Sequence, residues 1–232
     1  GVDKALVTAG FKNLDELRAI MAKYIMRRTA KDVGLVIPEA EKEVHLVDMT
    51  AKQQAMYGEL RAELEEAKNG DAEGTSHIFS IMDRMAKVAL DPGLLDPKTY
   101  AAMPPSPKIV QCAKDVAAAR GEGGQVIFCE AIDAHAKIAE ALVAAGVPRE
   151  RIGIMNAAVA SSSALRQNLS DKFNDGRLDV IIGNKIMEEG VNLQKRTADV
   201  RHLDVPWDPA TLQQRNGRGV RQGNKRKSVG VH

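Results

Sequence analysis

The sequence predicts an α/β fold: a parallel sheet flanked by helices, preceded by a mainly helical N-terminal linker region. Three observations carry that prediction. Past residue 106, short apolar runs alternate with helical runs of about 12–15 residues, the pattern of right-handed βαβ units. Aromatic residues make up only 3% of the chain, so Ala, Val, Ile and Leu must fill the core, which favours helices on a parallel sheet over an all-β fold. Residues 91–107 hold five prolines and no periodicity, marking a connector between a segment 1–105 and a domain 106–232.

Residues 3–23 read as helices broken near Gly10, with Asn13 or Asp15 able to cap the second. The alternating, β-rich run Glu43–Met49 predicts a strand. Thr50 with Gln53 forms a capping box for a helix from Ala51 to Lys68, which stops at Asn69-Gly70. A further helix covers about 76–90. Ser106-Pro107 heads a helix reaching Arg120, and Gly121-Glu-Gly-Gly124 ends it. Then follow a strand at 125–129, an Ala-rich helix at 131–145, a strand at 151–155, a helix at 161–174 and strands at 178–182 and 200–205. A helix opens at Asp208-Pro209, and another strand starts near Val229. Ligands on such sheets bind at the carboxyl ends of the strands, which directs attention to the loops after 129, 155, 182 and 205.

The helix expected from Pro209 places Gln214, Arg218 and Arg221 at i, i+4 and i+7 on one stripe, with Arg215 roughly 60° away on the same side. Gly217 and Gly219 inside it suggest that something approaches the backbone closely. Guanidinium forks match phosphate oxygens bidentately, so the stripe suits a polyphosphate. Taken alone, such a helix is a solvated basic face, and only the rest of the chain can decide against that reading. Trp207 reads as a packing residue, Asp204 as a loop-fixing acceptor, Cys129 as a small core residue and Lys225–Lys227 as a solvated turn. Glu188-Glu189 either repels an approaching polyanion or pairs with Arg196.

Composition excludes several classes. A net charge of +2 over 232 residues does not argue for nucleic acid by itself, and the basic residues gather locally from Lys185 to Lys227. Two cysteines, with no CxxC and no histidine at metal spacing, point to no metal site and to a reducing, cytoplasmic compartment. No apolar run is long enough to span a membrane. The start without Met and the stop just inside a strand suggest a piece of a longer protein.

Several strings then fall into one order. "YIMRRTAKDV" with "IPEAEKEVHLVDMTAKQQAMYGEL" at 24–60, "MDRMAKVALDPGLL" at 82–95 and "SPKIVQCAKDV" at 106–116 precede "QVIFCE" at 125–130 and "SSALRQNLSDKFNDG" at 162–176. "DVIIGNKIMEEGVNLQ" at 179–194 and "HLDVPWDPATLQQRNGRGVRQGN" at 202–224 follow. The last two resemble helicase motifs V and VI. The C-terminal half resembles the second RecA-like lobe of superfamily 2 helicases, and the whole chain resembles the SWI/SNF-type ATPases, with wording closer to bacterial and phage members. Asn184 and Glu188-Glu189 stand where motif V of that family usually has Ser or Thr and a Gly pair.

The resemblance implies a division of labour. Arg218 and Arg221 are implied as arginine fingers, exposed and mobile, that reach the γ-phosphate of ATP. Gln214, Arg215, Gly190 and Asn192 are implied to border the nucleotide, and Asn184, Lys185 and Arg166 to touch the nucleic-acid backbone. ATP and Mg²⁺ belong to the full-length parent, with none expected on this chain. The chain carries no GxxxxGK[ST] and no DExH-type string, so it is expected not to hydrolyse ATP without a separate N-terminal RecA-like lobe. The implied partners are that lobe and double-stranded DNA, gripped through its backbone, with no membrane involved. An RNA or strand-separating helicase lobe and a non-catalytic nucleic-acid or protein binding module are the alternatives.

Overall fold

The computed structural model describes residues 12–232 apart from 27, 29–30, 70–74, 101 and 189. The chain divides into two compact units, Gly1–Val36 and Ile37–His232. In the first, α1 (Leu14–Met21) is amphipathic, and Asn13 precedes it in a left-handed conformation without making a side-chain cap. The expected break near Gly10 lies outside the described residues. No helix among the described residues is long and apolar enough to cross a membrane.

The second unit is built on six strands: β1 (Glu39–Lys42), β2 (Gly124–Phe128), β3 (Ile152–Met155), β4 (Val180–Gly183), β5 (Thr197–His202) and β6 (Ser228–Val231). They lie in the order β1-β6-β5-β2-β4-β3, and every pairing is parallel. This is the RecA-like α/β sheet that the sequence predicts. Successive side chains of the central strands enter opposite layers, so apolar runs rather than alternating patterns mark them. On one side Ile127, Val180 and Ile182 pack with Ile109, Val116, Ile138 and Leu142 of helices α5 (Pro107–Ala118) and α6 (Ala134–Ala144). On the other, Val126, Phe128, Ile181 and Val200 pack with Phe173 of α7 (Ser163–Asn174) and with Met187, Leu193 and Val229.

The helices begin where their caps dictate. Thr50 and Gln53 close the capping box of α2 (Ala51–Asn69), with Thr50 N–H on Gln53 Oε1 at 3.1 Å and Gln53 N–H on Thr50 Oγ1 at 3.2 Å. Helix α3 (Thr75–Leu90) packs back on α2 through a small core of its own, Leu60, Leu64, Ile81 and Val88. The proline-rich connector forms a short 3-10 turn and the four-residue α4 (Pro97–Tyr100). Ser106 then caps α5, accepting from Ile109 N–H and donating to Leu90 C=O.

Two expectations fail here. The run Glu43–Met49 forms no strand: Val44 and Leu46 are 82% and 93% exposed, and the strand lies earlier, at Glu39–Lys42. The edge offered by β6 decides this, since it gives residues 39–42 a partner, Ala40 opposite Val229. Segment 37–105 therefore shares a compact unit, and one strand of its sheet, with residues 106–232. The helix opening at Pro209, α8, is the second. It ends at Asn216, with Gly217 as its cap, so Gln214, Arg218 and Arg221 do not share a helical stripe. What approaches the backbone at Gly219 is the sheet: a Cβ there would lie 2.7 Å from Thr197 Cγ2 and 2.9 Å from Val200 Cγ2.

At the amino ends of the strands, Asp179 binds Arg151 bidentately (2.6 and 3.0 Å), with Arg120 at 3.6 Å and Arg196 at 3.9 Å. Burial pushes its carboxyl pKa upward, but the Arg151 bonds and the three cations outweigh burial and hold it below the ordinary value. A depressed carboxyl stabilises the fold above its unfolded pKa, about 3.9. That contribution is lost as pH falls through the lower folded value. Asp179→Asn is expected to cost about 1–3 kcal/mol at pH 7. In urea titrations across pH the difference from wild type should shrink below about pH 4; a pH-independent gap would refute the assignment.

Candidate nucleotide and nucleic-acid face

The carboxyl ends of β2, β4 and β5 meet around one side chain. Arg215, carried inward by α8, is 1% exposed. Its Nη2 lies 2.6 Å from Glu130 Oε1 after β2, its Nε 2.9 Å from Glu188 Oε1 after β4, and its Nη1 2.9 Å from Asp204 Oδ1 after β5. The guanidinium also sits 5.2 Å from the Phe128 ring centroid, and His202 stacks on the same ring. Asp208 fixes the start of α8 by accepting from Ala210 and Thr211 N–H, with Pro209 in the first turn. Burial first, then the like charges of Asp204 and Glu188, push the Glu130 carboxyl above its ordinary range despite Arg215.

This arrangement corrects the place given to Arg215. Each of its three nitrogens is engaged by a different loop and the side chain is enclosed, so it positions those loops and does not face a nucleotide. Asp204 has the loop-fixing role expected of it, since its other oxygen accepts Glu130 N–H. Glu188 pairs with Arg215 rather than Arg196, which binds the carbonyls of Phe173 and Leu178; Glu189 lies outside the described residues. Trp207 is 71% exposed and does not pack. Cys129 is fully buried, and Lys225–Lys227 are exposed, as expected.

Beyond α8 the chain turns across the loop after β4. Arg218 donates from Nη1 to Val191 C=O (2.8 Å) and from Nη2 to Glu188 C=O (2.5 Å), so it is held rather than free to swing. Arg221 is exposed, and among the described residues its side chain meets Asn192 Oδ1 at 3.5 Å. Asn192 is anchored through its carbonyl, which accepts from Ser170 and Asn174 of α7. Gly190 is exposed at φ +67°, a backbone that other residues adopt only with strain, and a Cβ there would meet nothing within 4 Å. Gln214 is exposed on α8. The two strings that resembled motifs V and VI thus touch in space at 188–192 and 215–221.

Beside this contact lies an open cavity of about 760 Å³, lined by Ser163, Arg166 and Gln167 of α7 and by Lys185, Glu188 and Gly190. Arg166 and Lys185, expected at the nucleic-acid backbone, therefore share one concave surface. Asn184 does not join them: it is 4% exposed, and its Oδ1 accepts from Ile186 N–H to shape the turn 185–188. A residue so enclosed cannot meet a phosphodiester, which corrects that expectation.

Sequence reasoning missed Glu130 as a partner of Arg215, because nothing local links positions 85 residues apart. It also missed the buried link His135–Asn156, in which His135 Nε2 meets Cys129 C=O at 2.8 Å and Nδ1 meets Asn156 Nδ2 at 3.0 Å. Burial lowers the His135 pKa, in keeping with a neutral ring that ties the ends of β2 and β3 together.

Fold and site together define a RecA-like helicase lobe. A model of the helicase conserved C-terminal domain matches residues 109–223, and one of the SNF2-related domain matches residues 5–94. The chain belongs to the SWI/SNF-type superfamily 2 helicases and corresponds to their C-terminal lobe. It is 40% identical over 87 residues to defense against restriction protein B of Escherichia phage P1, a match covering 36% of this chain and 4% of that protein. It is 25% identical over 231 residues to the DNA repair and recombination protein RAD26 of Saccharomyces cerevisiae, covering 95% of this chain and 21% of that one. Its fold matches the Sulfolobus solfataricus SWI2/SNF2 ATPase core in complex with dsDNA at a TM-score of 0.64 and 20% identity, over 94% of this chain and 46% of that one. The chain thus spans only a small part of the curated relatives it matches.

Proposed function

We propose that this chain is the C-terminal lobe of an ATP-dependent double-stranded DNA translocase, and that it completes an ATP site whose other half lies on an N-terminal RecA-like lobe. The observation that supports this most is the contact between 188–192 and 215–221 at the carboxyl edge of the sheet. It leaves Arg221 exposed, with Arg218 beside it. Guanidinium donors fit a polyphosphate. The nearby carboxylates Glu130, Glu188 and Asp204 are engaged by Arg215, so the donor set on this lobe fits phosphate and not Mg²⁺, which falls to the other lobe. ATP, when bound, supplies a γ-phosphoryl group, and Arg221 and Arg218 neutralise negative charge there, with Gln214, Gly190 and Asn192 along the same edge. Arg166 and Lys185 in the open cavity grip nucleic-acid backbone, a contact that sets position rather than sequence.

The test is nucleotide turnover by the lobe joined to its N-terminal partner, measured with and without duplex DNA, followed by triplex displacement. Duplex-stimulated turnover with triplex displacement supports the reading. Stimulation by RNA alone, or strand separation without translocation, replaces it with a helicase of the other kind. No turnover at all leaves a binding module. Salt sensitivity adds a quantitative check: Lys185→Ala and Arg166→Ala should each weaken duplex binding on any sequence and flatten the slope of log K against log salt by about 1.

A further inference from the structure

Three side chains of distant origin converge where β1 and β6 end. Glu43 follows β1 and His232 follows β6, while His45 lies two residues past Glu43. The backbone fixes them: Glu43 N–H binds Val231 C=O, and His232 N–H binds Val200 C=O, both at 2.9 Å. His45 Nε2 lies 3.1 Å from His232 Nδ1 and 3.5 Å from Glu43 Oε2, and His232 Nδ1 lies 3.7 Å from the same carboxylate oxygen. Ligand atoms around a tetrahedral zinc ion with bonds of about 2.0–2.1 Å are separated by about 3.3–3.4 Å. The three observed separations bracket that edge.

The outward nitrogen of each ring supplies the second argument. His232 Nε2 lies 3.0 Å from Asp199 Oδ1, and His45 Nδ1 lies 3.2 Å from Asp115 Oδ2. An ionised carboxylate only accepts, so each ring in its neutral form carries its proton on the outer nitrogen. Both inner nitrogens then present lone pairs to each other and to Glu43. Three acceptors converging without a donor repel unless a cation lies between them. A carboxylate behind each ligating imidazole is also the usual support for a metal-bound histidine, since it fixes the tautomer and the ring orientation. Among the described residues, Arg201 pairs with the other oxygen of Asp199 (Nη2 at 3.7 Å) and Gln111 Nε2 donates to the other oxygen of Asp115 (2.7 Å), but no lysine or arginine pairs with Glu43 or Asp115.

We propose that Glu43, His45 and His232 form a binding site for a zinc-type divalent cation, oriented by Asp115 and Asp199. Two imidazoles and one carboxylate suit zinc, and also copper or nickel, over the all-oxygen preference of magnesium and calcium. The ion ties the irregular segment after β1 to the last strand, and its fourth position faces solvent. The site is separate from the proposed nucleotide edge and does not depend on that reading.

The test is equilibrium binding of Zn²⁺ to the 232-residue chain, with Co²⁺ as a spectroscopic probe of tetrahedral geometry. One ion per chain is expected, unaffected by excess Mg²⁺. Glu43→Ala and His45→Ala should each weaken binding at least about 100-fold, and Asp199→Asn about 10–100-fold. His77→Ala, at an exposed histidine outside the cluster, should change nothing. Far-UV dichroism separates loss of fold from loss of ligand, and His45→Gln serves as a second, milder variant at the same position. Binding no tighter than about 1 mM to the folded wild type, or full affinity in both ligand variants, overturns the site. The first outcome would mean that the two imidazoles share a proton instead.

Discussion

Arg215→Ala is expected to destabilise the second unit by roughly 3–5 kcal/mol, the usual cost of removing one partner from a buried ion pair. At about 2–4 °C per kcal/mol for a chain of this size, the thermal midpoint should fall by about 6–20 °C. The reason is local. Glu130, Glu188 and Asp204 converge on one guanidinium, and its removal leaves three carboxylates facing one another. Arg215→Lys should recover little, because a single ammonium cannot reach three acceptors that a planar fork spans from three nitrogens. The partner change is informative: Glu130→Gln in the Arg215→Ala background should regain stability by easing repulsion, a coupling that a double-mutant cycle measures. On the proposed function, turnover by the lobe joined to its N-terminal partner should be lost with Arg215→Ala even at temperatures where the lobe stays folded, because the loops after β2, β4 and β5 are no longer held in register. Wild-type stability in this variant would falsify the keystone role.

The strands buried on both sides were legible because burial leaves a continuous apolar run, as in Val126-Ile-Phe128 and Val180-Ile-Ile182. The helix starts were legible because Thr50, Ser106 and Asp208 satisfy backbone donors that a helix always leaves open. Where the outcome depended on a partner far along the chain, local pattern failed. Glu43–Met49 alternates as a strand should, yet β6 pairs with the more polar Glu39–Lys42 instead. The stripe of Gln214, Arg218 and Arg221 continues on paper past Gly217, but packing of Gly219 on Thr197 and Val200 requires the chain to leave the helix. The same limit hid the roles of Arg215 and Asn184. A motif string locates residues near a site, and only the sheet order reveals which of them face inward. The pair His45 and His232, 187 positions apart, lay beyond any spacing rule.

If the proposed function holds, Arg221→Ala and Arg218→Ala should both reduce ATP turnover of the lobe joined to its N-terminal partner by about 10³-fold or more, as removal of an arginine finger does. Their structural settings predict that they differ in everything else. Arg221 is exposed, and its contact among the described residues is the long 3.5 Å one with Asn192, so its removal should leave the unfolding transition of the lobe where it is. Arg218 bonds two carbonyls of the loop after β4, at 2.5 and 2.8 Å, and its loss should cost about 1–3 kcal/mol in addition to turnover. Arg221→Lys keeps the charge and loses the fork. If the group acts by bidentate contact with phosphate oxygens, lysine should restore only a small part of the rate; if it acts as a point charge, most of it. Substrate binding divides the alternatives further, because a finger that acts on the developing charge lowers kcat with little change in KM. Arg221→Ala turning over within about threefold of wild type would remove Arg221 from the chemistry. Arg218, held against the backbone, would then be left either as the sole finger or as a brace for the 188–191 loop, and the same pair of measurements on Arg218→Ala separates those two roles.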